Sequence, residues 1–356
     1  MRSRRGCYQA AVPNGYLNSK KPSLTDSRLK SRPISISTQS TACSLSSVDL
    51  LSPSVASMMT GWRNEETVPN HVMAVEDRYL LLRKLGEGKF GTVQLAVRKG
   101  TNQRYAAKLM PHYGDLEVQI TKCLSHPHIV RLHETVKCRT GLCLVLDLCL
   151  GGDLHQWIAS RFRKEVGNRQ TYRPPGSAEV SSFLWQILTA VAYLHHHRIV
   201  HRDIKPGNLL LVEQGSRSLK LADFNLACKF SKGHKLSSRC GSLMYLAPEV
   251  LRRAYTERCD IWGIGVTFQD LVTGEALWQG QQDQEIEKLI LHSKPHLRSC
   301  HWLLGRKGRR RMQSQAARDL FLQLMLPEDQ GRPSARKALE SSFVSRRFGQ
   351  SCCAVS

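Results

Sequence analysis

The sequence lacks several features that would assign it to well-known classes of protein. No stretch approaches the ~18 consecutive apolar residues that a transmembrane helix needs. No N-terminal segment joins a basic stretch to a long apolar one, as a secretory signal does. The 12 cysteines show no zinc-ligand spacing. We therefore expect reduced thiols, a cytoplasmic location and, at most, peripheral attachment to a membrane.

Acidic residues are also scarce, with 29 Asp and Glu against 52 Lys and Arg, so the formal net charge is +23. This charge favours a polyanionic partner: nucleic acid, a phosphorylated ligand or an anionic membrane. Charge alone does not choose among them. The basic run RKGRRR at 306–311, in a polar segment between helical stretches, could bind such a partner or form a solvated loop. Because zinc-finger and nucleic-acid-binding motifs are missing, we predict no nucleic acid partner.

A change of composition near residue 76 divides the chain. The serine-rich, basic segment before it has no sustained strand or helix period, which predicts a disordered tail, with or without a phosphoregulated function. Apolar alternation in RYLLLRKLGEGKFGTVQLAVRK and QRYAAKLM predicts antiparallel strands, and helical periods follow Gly151. KEVGNRQTYRPPGS is expected to be an exposed loop. The predicted boundaries are 1–77 for the tail, 78–345 for one domain with lobes at 78–147 and 150–345, and 346–356 for a second tail.

The segment LGEGKFGTV places Gly86, Gly88 and Gly91 between two predicted strands. Glycines there let backbone amides approach phosphate oxygens closely. Because this G-x-G-x-x-G does not open a helix, a dinucleotide fold is disfavoured. Lys108 lies 22 residues after Gly86 (108 − 86), where its ammonium could hold the α- and β-phosphates of a nucleotide. Taken alone, Lys108 would more often be a strand-edge lysine.

Several motifs occur in a familiar order: HRDIKPGNLLL at 201–211, LADFNLA at 221–227, CGSLMYLAPE at 240–249, CDIWGIG at 259–265 and GRPSA at 331–335. Over residues 78–345 the chain resembles the eukaryotic protein kinases of the serine/threonine type, and in general the calmodulin-regulated and related kinases. The resemblance implies an α+β, bilobal protein kinase fold. Its β-rich N-lobe would carry one short helix, and its C-lobe would be helical.

The resemblance also implies roles for the matching residues. Asp203 would accept or orient the proton of the substrate hydroxyl, and Lys205 would steady the transferring phosphate. Asn208 and Asp223 would hold the Mg²⁺ ions that bridge the phosphates of ATP. Singly, Asp203 could instead form a turn and Asn208 cap a helix. ATP would be bound by Leu85, Gly86, Glu87, Gly88, Lys89, Phe90, Gly91, Val93, Ala106, Lys108, Asp147, Cys149 and Asp153.

Other matches concern the support of the site and its substrate. Asp260 would brace the backbone of the catalytic loop, and Glu249 would pair with Arg332. Asp153 and Asp270 match acidic cleft positions that favour arginine before the phosphorylated residue. The resemblance therefore implies a mild preference for basic substrates.

Two kinds of modification are predicted. Ser238 lies in the activation segment (residues 223–249) where a regulatory phosphate is common, and a phosphate there could pair with Arg202. The alternative is an exposed serine without a role. The ending CAVS is a C-a-a-X motif, which predicts farnesylation of Cys353 and offers Cys352 for palmitoylation. The alternative is an unmodified tail.

Two departures from the family pattern leave activity open. Asn225 stands where the DFG motif has glycine, and asparagine tolerates the left-handed backbone that glycine allows. Glu117, the expected partner of Lys108, follows it by only nine residues (117 − 108), so we predict a short helix from just before Glu117 to about Ser125. Thr121 lies where an apolar residue is usual.

The chain is therefore predicted to be an active, monomeric serine/threonine protein kinase in a signalling role. It would use ATP and Mg²⁺ and phosphorylate serine and threonine hydroxyls of protein substrates. Lipid on Cys353 would attach it to an anionic membrane surface. The alternative is a catalytically impaired pseudokinase that acts as a scaffold.

Overall fold

The computed structural model of the chain describes residues 74–88, 91–110, 115–138, 141–164, 170–295 and 308–345. Nearly all of the two predicted tails, 1–77 and 346–356, lies outside the described residues. Residues 74–77 are described and Val75 is fully buried, so the folded part begins before the predicted boundary at residue 78. In the described part of the chain, no helix is long and apolar enough to cross a membrane.

The first part of the described chain consists mainly of strands. Its elements are α1 (Val75–Arg78), β1 (Tyr79–Gly88), β2 (Gly91–Arg98), β3 (Arg104–Met110), α2 (Asp115–Lys122), β4 (Leu132–Cys138) and β5 (Gly141–Leu146). The five strands form one antiparallel sheet in the order β1-β2-β3-β5-β4. Side chains alternate between its faces. Ala107 of β3 packs on one face with Tyr79, whereas Met110 packs on the other with Val118 of α2. Lys108 therefore projects from the face that α2 covers.

The helix α2 is shorter than predicted at its C-terminal end. It ends at Lys122 and does not continue to Ser125. Pro127 follows closely, and a residue that precedes proline avoids the helical conformation. At the other end, the helix includes Asp115, the first described residue after Met110, and the predicted turn at Gly114 lies outside the described residues.

The second part is mainly helical. Its elements are α3 (Leu154–Ala159), β6 (Phe162–Lys164), β7 (Gln170–Tyr172), α4 (Ser177–His196), β8 (Ile199–Val200), β9 (Leu209–Leu211), β10 (Leu219–Leu221), β11 (Cys228–Lys229), α5 (Pro248–Leu251), α6 (Cys259–Thr273), α7 (Asp283–His292), α8 (Gly308–Leu324), α9 (Ala335–Leu339) and α10 (Ser342–Ser345). Every residue of α6 from Cys259 to Val272 is buried. A helix that is buried on all sides forms the core of a domain. Here α6 packs between α4 and α8.

A hairpin stands where we predicted an exposed loop before α4. Its strands β6 and β7 are antiparallel, and the hydroxyl of Tyr172 donates a 2.8 Å hydrogen bond to the carbonyl oxygen of Leu271 in α6. Gly274, the left-handed C-cap of α6 with φ of +69°, lies so close to the Tyr172 ring that a Cβ would come within 2.5 Å. The loop prediction was wrong for Gln170–Tyr172, whereas residues 173–176 lie in neither a helix nor a strand and residues 165–169 lie outside the described residues. Strands of three residues carry too little alternation to be recognised, and the anchor of the hairpin is tertiary.

The architecture confirms the predicted α+β fold, with a β-rich part followed by a helical part. The four-residue α1 is an addition to the one short helix predicted in the first part. The basic run at 306–311 does not lie wholly between helices, because α8 begins at Gly308.

Candidate active site

The glycine-rich segment joins the strands of a hairpin. β1 and β2 pair up to the positions of Gly88 and Gly91. Gly91 has φ of +145°, and a Cβ there would lie 2.1 Å from the carbonyl oxygen of Leu109, so this position requires glycine. Lys89 and Phe90, predicted to bind ATP, lie outside the described residues. The hairpin carries the other predicted ATP-binding residues of this segment, which are Leu85, Gly86, Glu87, Gly88, Gly91 and Val93.

Lys108 and Glu117 form a buried ion pair. Lys108 lies on β3, on the same face as the predicted ATP-binding residue Ala106, and Glu117 lies in α2. Nζ of Lys108 is 2.6 Å from Oε1 of Glu117, and each residue is 8% exposed. Burial raises the pKa of Glu117, although the charge of Lys108 acts to lower it. The short helix therefore brings the two predicted partners together.

Thr121 lies one turn after Glu117 and is buried. Its hydroxyl donates a 2.7 Å hydrogen bond to the carbonyl oxygen of Glu117. The polar group that occupies this position is thus satisfied within its own helix, so its burial costs little.

Asp223 and Asn225 lie beside the ion pair. Nζ of Lys108 is 3.3 Å from Oδ1 of Asp223 and donates a 2.8 Å hydrogen bond to Oδ1 of Asn225. The amide nitrogen of Asn225 donates to Oδ1 of Asp223. The residue with the left-handed backbone is Asp223, with φ of +67°, and not Asn225. Asn225 therefore makes no use of its tolerance of left-handed φ, because aspartate shares this tolerance and takes the conformation instead.

Asp203 lies at the centre of the catalytic loop (residues 201–208). Its Oδ2 is 2.7 Å from Nζ of Lys205 and accepts a 2.9 Å hydrogen bond from the side-chain amide of Asn208. Its Oδ1 accepts a 2.9 Å hydrogen bond from the backbone amide of Ser242. Burial raises the pKa of Asp203, but Lys205 and the hydrogen bond from Ser242 outweigh it, so the pKa lies below its ordinary value. The carboxylate is therefore ionised at neutral pH, as acceptance of a hydroxyl proton requires.

A buried carboxylate holds this loop in place. Asp260 in α6 accepts hydrogen bonds from the backbone amides of His201, at 2.9 Å, and Arg202, at 2.8 Å. Its Oδ2 also lies 2.9 Å from Nε2 of His195 in α4. Burial raises the pKa of Asp260, but the interactions with His195 and His201 outweigh it, so the pKa lies below its ordinary value. The structure thus contains the brace that the resemblance implied.

Arg202 and Tyr255 connect the catalytic loop to the activation segment. Nε of Arg202 donates a 2.6 Å hydrogen bond to the carbonyl oxygen of Leu226, and one terminal nitrogen is 3.3 Å from the hydroxyl of Tyr255. That hydroxyl donates a 2.7 Å hydrogen bond to the carbonyl oxygen of Ser238. The predicted phosphosite is therefore linked to Arg202 through one tyrosine.

Asp147 and Cys149, which were predicted to bind ATP, follow β5. The Asp147 carboxylate is engaged by Nε2 of His133, at 2.8 Å, and Nζ of Lys220, at 2.9 Å. Cys149 is half-buried, and burial raises the pKa of its thiol to about 11. Asp153 caps α3, where its side chain accepts a 2.7 Å hydrogen bond from a backbone amide of the first turn. Two of the predicted ATP-binding carboxylates thus also have structural partners.

Asn208 and Asp223 supply oxygen atoms of the kind that Mg²⁺ prefers. The amide nitrogen of Asn208 is committed to Asp203, which leaves the carbonyl oxygen for a cation. The side chain of Asp223 is 42% exposed, so its carboxylate is accessible. The chemistry of this donor set fits the predicted magnesium site.

The sequence did not predict three of the contacts in this site: those of Asn225 with Lys108, of Ser242 with Lys205 and of Lys220 with Asp147. Asn225 carried a signal, because it replaces the glycine of a recognised motif. Cys352 and Cys353, the predicted lipidation sites, lie outside the described residues.

Comparison with known proteins gives consistent matches. A family model described as "Protein kinase domain" matches residues 79–344. Serine/threonine-protein kinase PEPKR2 of Arabidopsis thaliana is 31% identical over 274 residues, which cover 76% of this chain and 54% of that protein. Calcium-dependent protein kinase 5 of Plasmodium falciparum is 35% identical over 234 residues, which cover 64% of this chain and 39% of that protein. Serine/threonine-protein kinase DCLK1 of Mus musculus is 33% identical over 303 residues, which cover 81% of this chain and 37% of that protein. The chain thus spans about half or less of the length of these relatives.

Proposed function

This chain belongs to the protein kinase family, as its motifs predicted, and we propose that it transfers the γ-phosphate of ATP to serine and threonine hydroxyls of protein substrates. The observation that carries the proposal is the cluster of Asp203, Lys205 and Ser242, in which an ionised carboxylate lies against an ammonium group. Two relatives are named as serine/threonine kinases, which supports the class of acceptor.

The chemistry would proceed by displacement at the γ-phosphorus. A bond forms from the substrate hydroxyl oxygen to phosphorus while the bond from phosphorus to the leaving oxygen of ADP breaks. The hydroxyl proton passes to the carboxylate of Asp203. Lys205 stabilises the charge of the phosphoryl group during transfer, and Lys108 holds the α- and β-phosphates. Mg²⁺, held by Asn208 and Asp223, would neutralise phosphate charge when bound.

Substrates with a basic residue before the acceptor are the proposed preference. Asp270 of α6 accepts a 2.6 Å hydrogen bond on Oδ2 from Tyr245, and its Oδ1 has no hydrogen-bond partner within the described ranges. Burial raises the pKa of Asp270 to about 7, so its deprotonated form, together with Asp153, would provide the negative charge that favours an arginine. Peptides with and without that arginine, compared by kcat/KM, test this preference.

Regulation through Ser238 and membrane attachment through Cys353 are further parts of the proposal. The network that joins Ser238 to Tyr255 and Arg202 supports a regulatory position for Ser238. Phosphopeptide mapping of protein purified from cells tests it. The CAVS motif supports prenylation in a chain that ends at Ser356, and comparing the membrane fraction of wild type and Cys353→Ser tests this. A signalling role is consistent with both.

A scaffold without turnover is the second candidate, and one observation favours it. The side chain of Asn225 contacts both Lys108 and Asp223, where the family motif has no side chain. In that case the protein would bind nucleotide through Lys108 and Asp223 but transfer no phosphate.

The deciding experiment measures transfer of labelled γ-phosphate from Mg·ATP to a mixed serine/threonine peptide library. We expect transfer by the wild type and its loss in Asp203→Asn, while Glu213→Gln, a change of an exposed glutamate, retains it. Binding of ADP is measured in all three proteins, because Asp203→Asn should keep it. If the wild type binds ADP but transfers no phosphate, also after phosphorylation of Ser238, the scaffold function is favoured over the enzyme function.

A further inference from the structure

Asn225 puts a side-chain amide between two groups that the proposed function assigns to the nucleotide. We propose that this amide is a built-in occupant of the nucleotide site. It holds Lys108 and Asp223 together in the nucleotide-free protein and has to leave Lys108 before a phosphate can bind there. The inference rests on the proposed use of Lys108 for the phosphates of ATP. It makes Asn225 a positioning residue that lowers nucleotide affinity.

The ammonium group of Lys108 is already surrounded by acceptors from the protein. An ammonium group has three N–H donors. Three oxygens surround Nζ of Lys108: Oε1 of Glu117 at 2.6 Å, Oδ1 of Asn225 at 2.8 Å and Oδ1 of Asp223 at 3.3 Å. The donors are therefore all directed to oxygens of the protein itself. A phosphate oxygen can bind to Lys108 only if one of these three acceptors gives way.

The cost of releasing each acceptor identifies the one that leaves. Glu117 is 8% exposed, and releasing it would leave a buried carboxylate without its counter-charge. Asp223 has a formal charge opposite to that of Lys108, whereas Asn225 is neutral and only half-buried, so the carbonyl oxygen of Asn225 can exchange Lys108 for water. Replacing this neutral acceptor by a charged phosphate also strengthens the hydrogen bond from Lys108. Asn225 is therefore the acceptor that a nucleotide displaces at least cost.

The same displacement loosens Asp223. The amide nitrogen of Asn225 donates to Oδ1 of Asp223, the oxygen that also faces Lys108. When the amide turns away from Lys108, this link turns with it. The side chain of Asn225 thus links Lys108 to Asp223, and both contacts are lost when it moves.

The backbone on either side of Asn225 is held by other contacts. Release of Lys108 therefore requires a rotation of the Asn225 side chain. Phe224 is 3% exposed, and its ring packs edge-on against the ring of His201 with centroids 5.0 Å apart. The amide of Ala227 donates a 3.0 Å hydrogen bond to the carbonyl oxygen of Phe224, which closes a turn around Asn225. Asn225 itself does not have a left-handed φ. Glycine is therefore not needed here for its backbone, and the side chain is the feature to explain.

Thermodynamic linkage fixes the signs of the expected effects. The contact of Asn225 with Lys108 is made only without nucleotide, so its removal destabilises the nucleotide-free protein and not the complex. Nucleotide binding must then become tighter by the same factor. For one hydrogen bond exchanged against water, the factor is about 2- to 10-fold.

The experiment uses the full chain and the variants Asn225→Ala and Asn225→Gly. Calorimetry gives the Kd of ADP with and without Mg²⁺, and a thermal melt gives the stability of the nucleotide-free protein. We expect both variants to melt at lower temperature than the wild type and to bind Mg·ADP about 2- to 10-fold more tightly. Gln214→Ala removes an exposed amide elsewhere and serves as the matched control, with both quantities unchanged.

The other results each have one meaning. Unchanged or weaker Mg·ADP binding in Asn225→Ala overturns the inference, because the amide would then be neutral or would support the bound state. Tighter binding in Asn225→Gly alone also overturns it, since backbone freedom would be the cause. If the wild type itself binds no ADP, the proposed function fails together with the inference. If the wild type binds ADP and the Asn225 variants do not bind it more tightly, the inference fails while the proposed nucleotide binding stands.

Discussion

The ammonium of Lys205 lies 2.6 Å from the hydroxyl oxygen of Ser242, so a side-chain hydrogen bond joins the catalytic loop to the activation segment. Ser242 also donates its backbone amide to Asp203, at 2.9 Å. The two contacts make Ser242 a positioning residue for both the proposed base and the proposed phosphate ligand. Its hydroxyl is the only part of it that a mutation can remove without disturbing the backbone contact.

Ser242→Ala is accordingly expected to lower kcat for peptide phosphorylation by about 10-fold, the effect of one lost hydrogen bond to a charged group. KM for ATP should change little, because Lys205 is assigned to the transferring phosphate. Ser242→Thr keeps the hydroxyl and should retain most of the activity. Steady-state kinetics of the three proteins check this. Equal losses in the alanine and threonine variants would contradict the role of the hydroxyl.

Glu117→Gln is expected to destabilise the protein by roughly 3 kcal/mol, because it leaves the buried charge of Lys108 without its nearest counter-charge. The remaining contact with Asp223, at 3.3 Å, keeps the loss at the low end of the usual range. Urea denaturation measures it. The matched control is Glu287→Gln, which breaks a 2.5 Å ion pair with Arg239 that is partly exposed on both sides. That change should cost less than about 1 kcal/mol. Similar losses in both variants would mean that the burial of the Lys108 pair has no energetic consequence.

Arg332 offers a test of the interactions that stabilise the helical part of the fold. It is 1% exposed and donates to both carboxylate oxygens of Glu249, with Nη2 2.7 Å from Oε2. Nε donates a further 2.6 Å hydrogen bond to the carbonyl oxygen of Leu326. Arg332→Lys keeps the charge but cannot reproduce this planar set of donors.

We therefore expect Arg332→Lys to lower the free energy of unfolding by about 2–4 kcal/mol and Arg332→Met by about 3–5 kcal/mol. Thermal and urea unfolding measure both. A lysine variant as stable as the wild type would show that charge, and not the fork of donors, stabilises Glu249.

Asp270 predicts a dependence of stability on pH. Burial raises the pKa of Asp270 to about 7, against the hydrogen bond from Tyr245, which lowers it. The folded protein thus binds this proton more tightly than the unfolded chain, whose pKa is the ordinary 3.8. The contribution of Asp270 to the unfolding free energy is full below about pH 4, falls as the pH rises towards 7, and is constant above.

Asp270→Asn removes this titration. Between about pH 5 and 8, the variant should gain roughly 2–3 kcal/mol of stability relative to the wild type. Urea denaturation at both pH values measures the difference. Parallel pH profiles for the two proteins would contradict a raised pKa of Asp270 in the folded state.

How much of this could be predicted from the sequence differs from one feature to the next. Lys108 was placed correctly on a strand, because the apolar alternation around it is a local feature. The pairing of Lys108 with Glu117 was expected, but the sequence did not settle whether a short helix would reach the lysine. The 2.6 Å contact between Nζ of Lys108 and Oε1 of Glu117 settles it. Thr121 was flagged as polar where an apolar residue is usual, and its partner turned out to be a backbone oxygen of its own helix.

The contacts that escaped prediction are tertiary. Asn225 and Lys108 are 117 residues apart, and Ser242 and Lys205 are 37 apart, so no periodicity links them. The hairpin of β6 and β7 depends on Tyr172, whose partner Leu271 lies 99 residues away. The conformation of Asp223 escaped for another reason. Asp223 and Asn225, on either side of Phe224, both tolerate left-handed φ, and only packing decides which of them adopts it.

Cys149, a predicted ATP-binding residue, limits how covalent reagents can label the nucleotide cleft. With a pKa of about 11, only about one thiol in 10,000 is present as the reactive thiolate at neutral pH. Acrylamides and other electrophilic inhibitors aimed at this cysteine should therefore label it slowly, however well their recognition groups fit the cleft. A compound intended for selective engagement of this chain should gain its affinity from reversible contacts, such as those opened by displacement of Asn225.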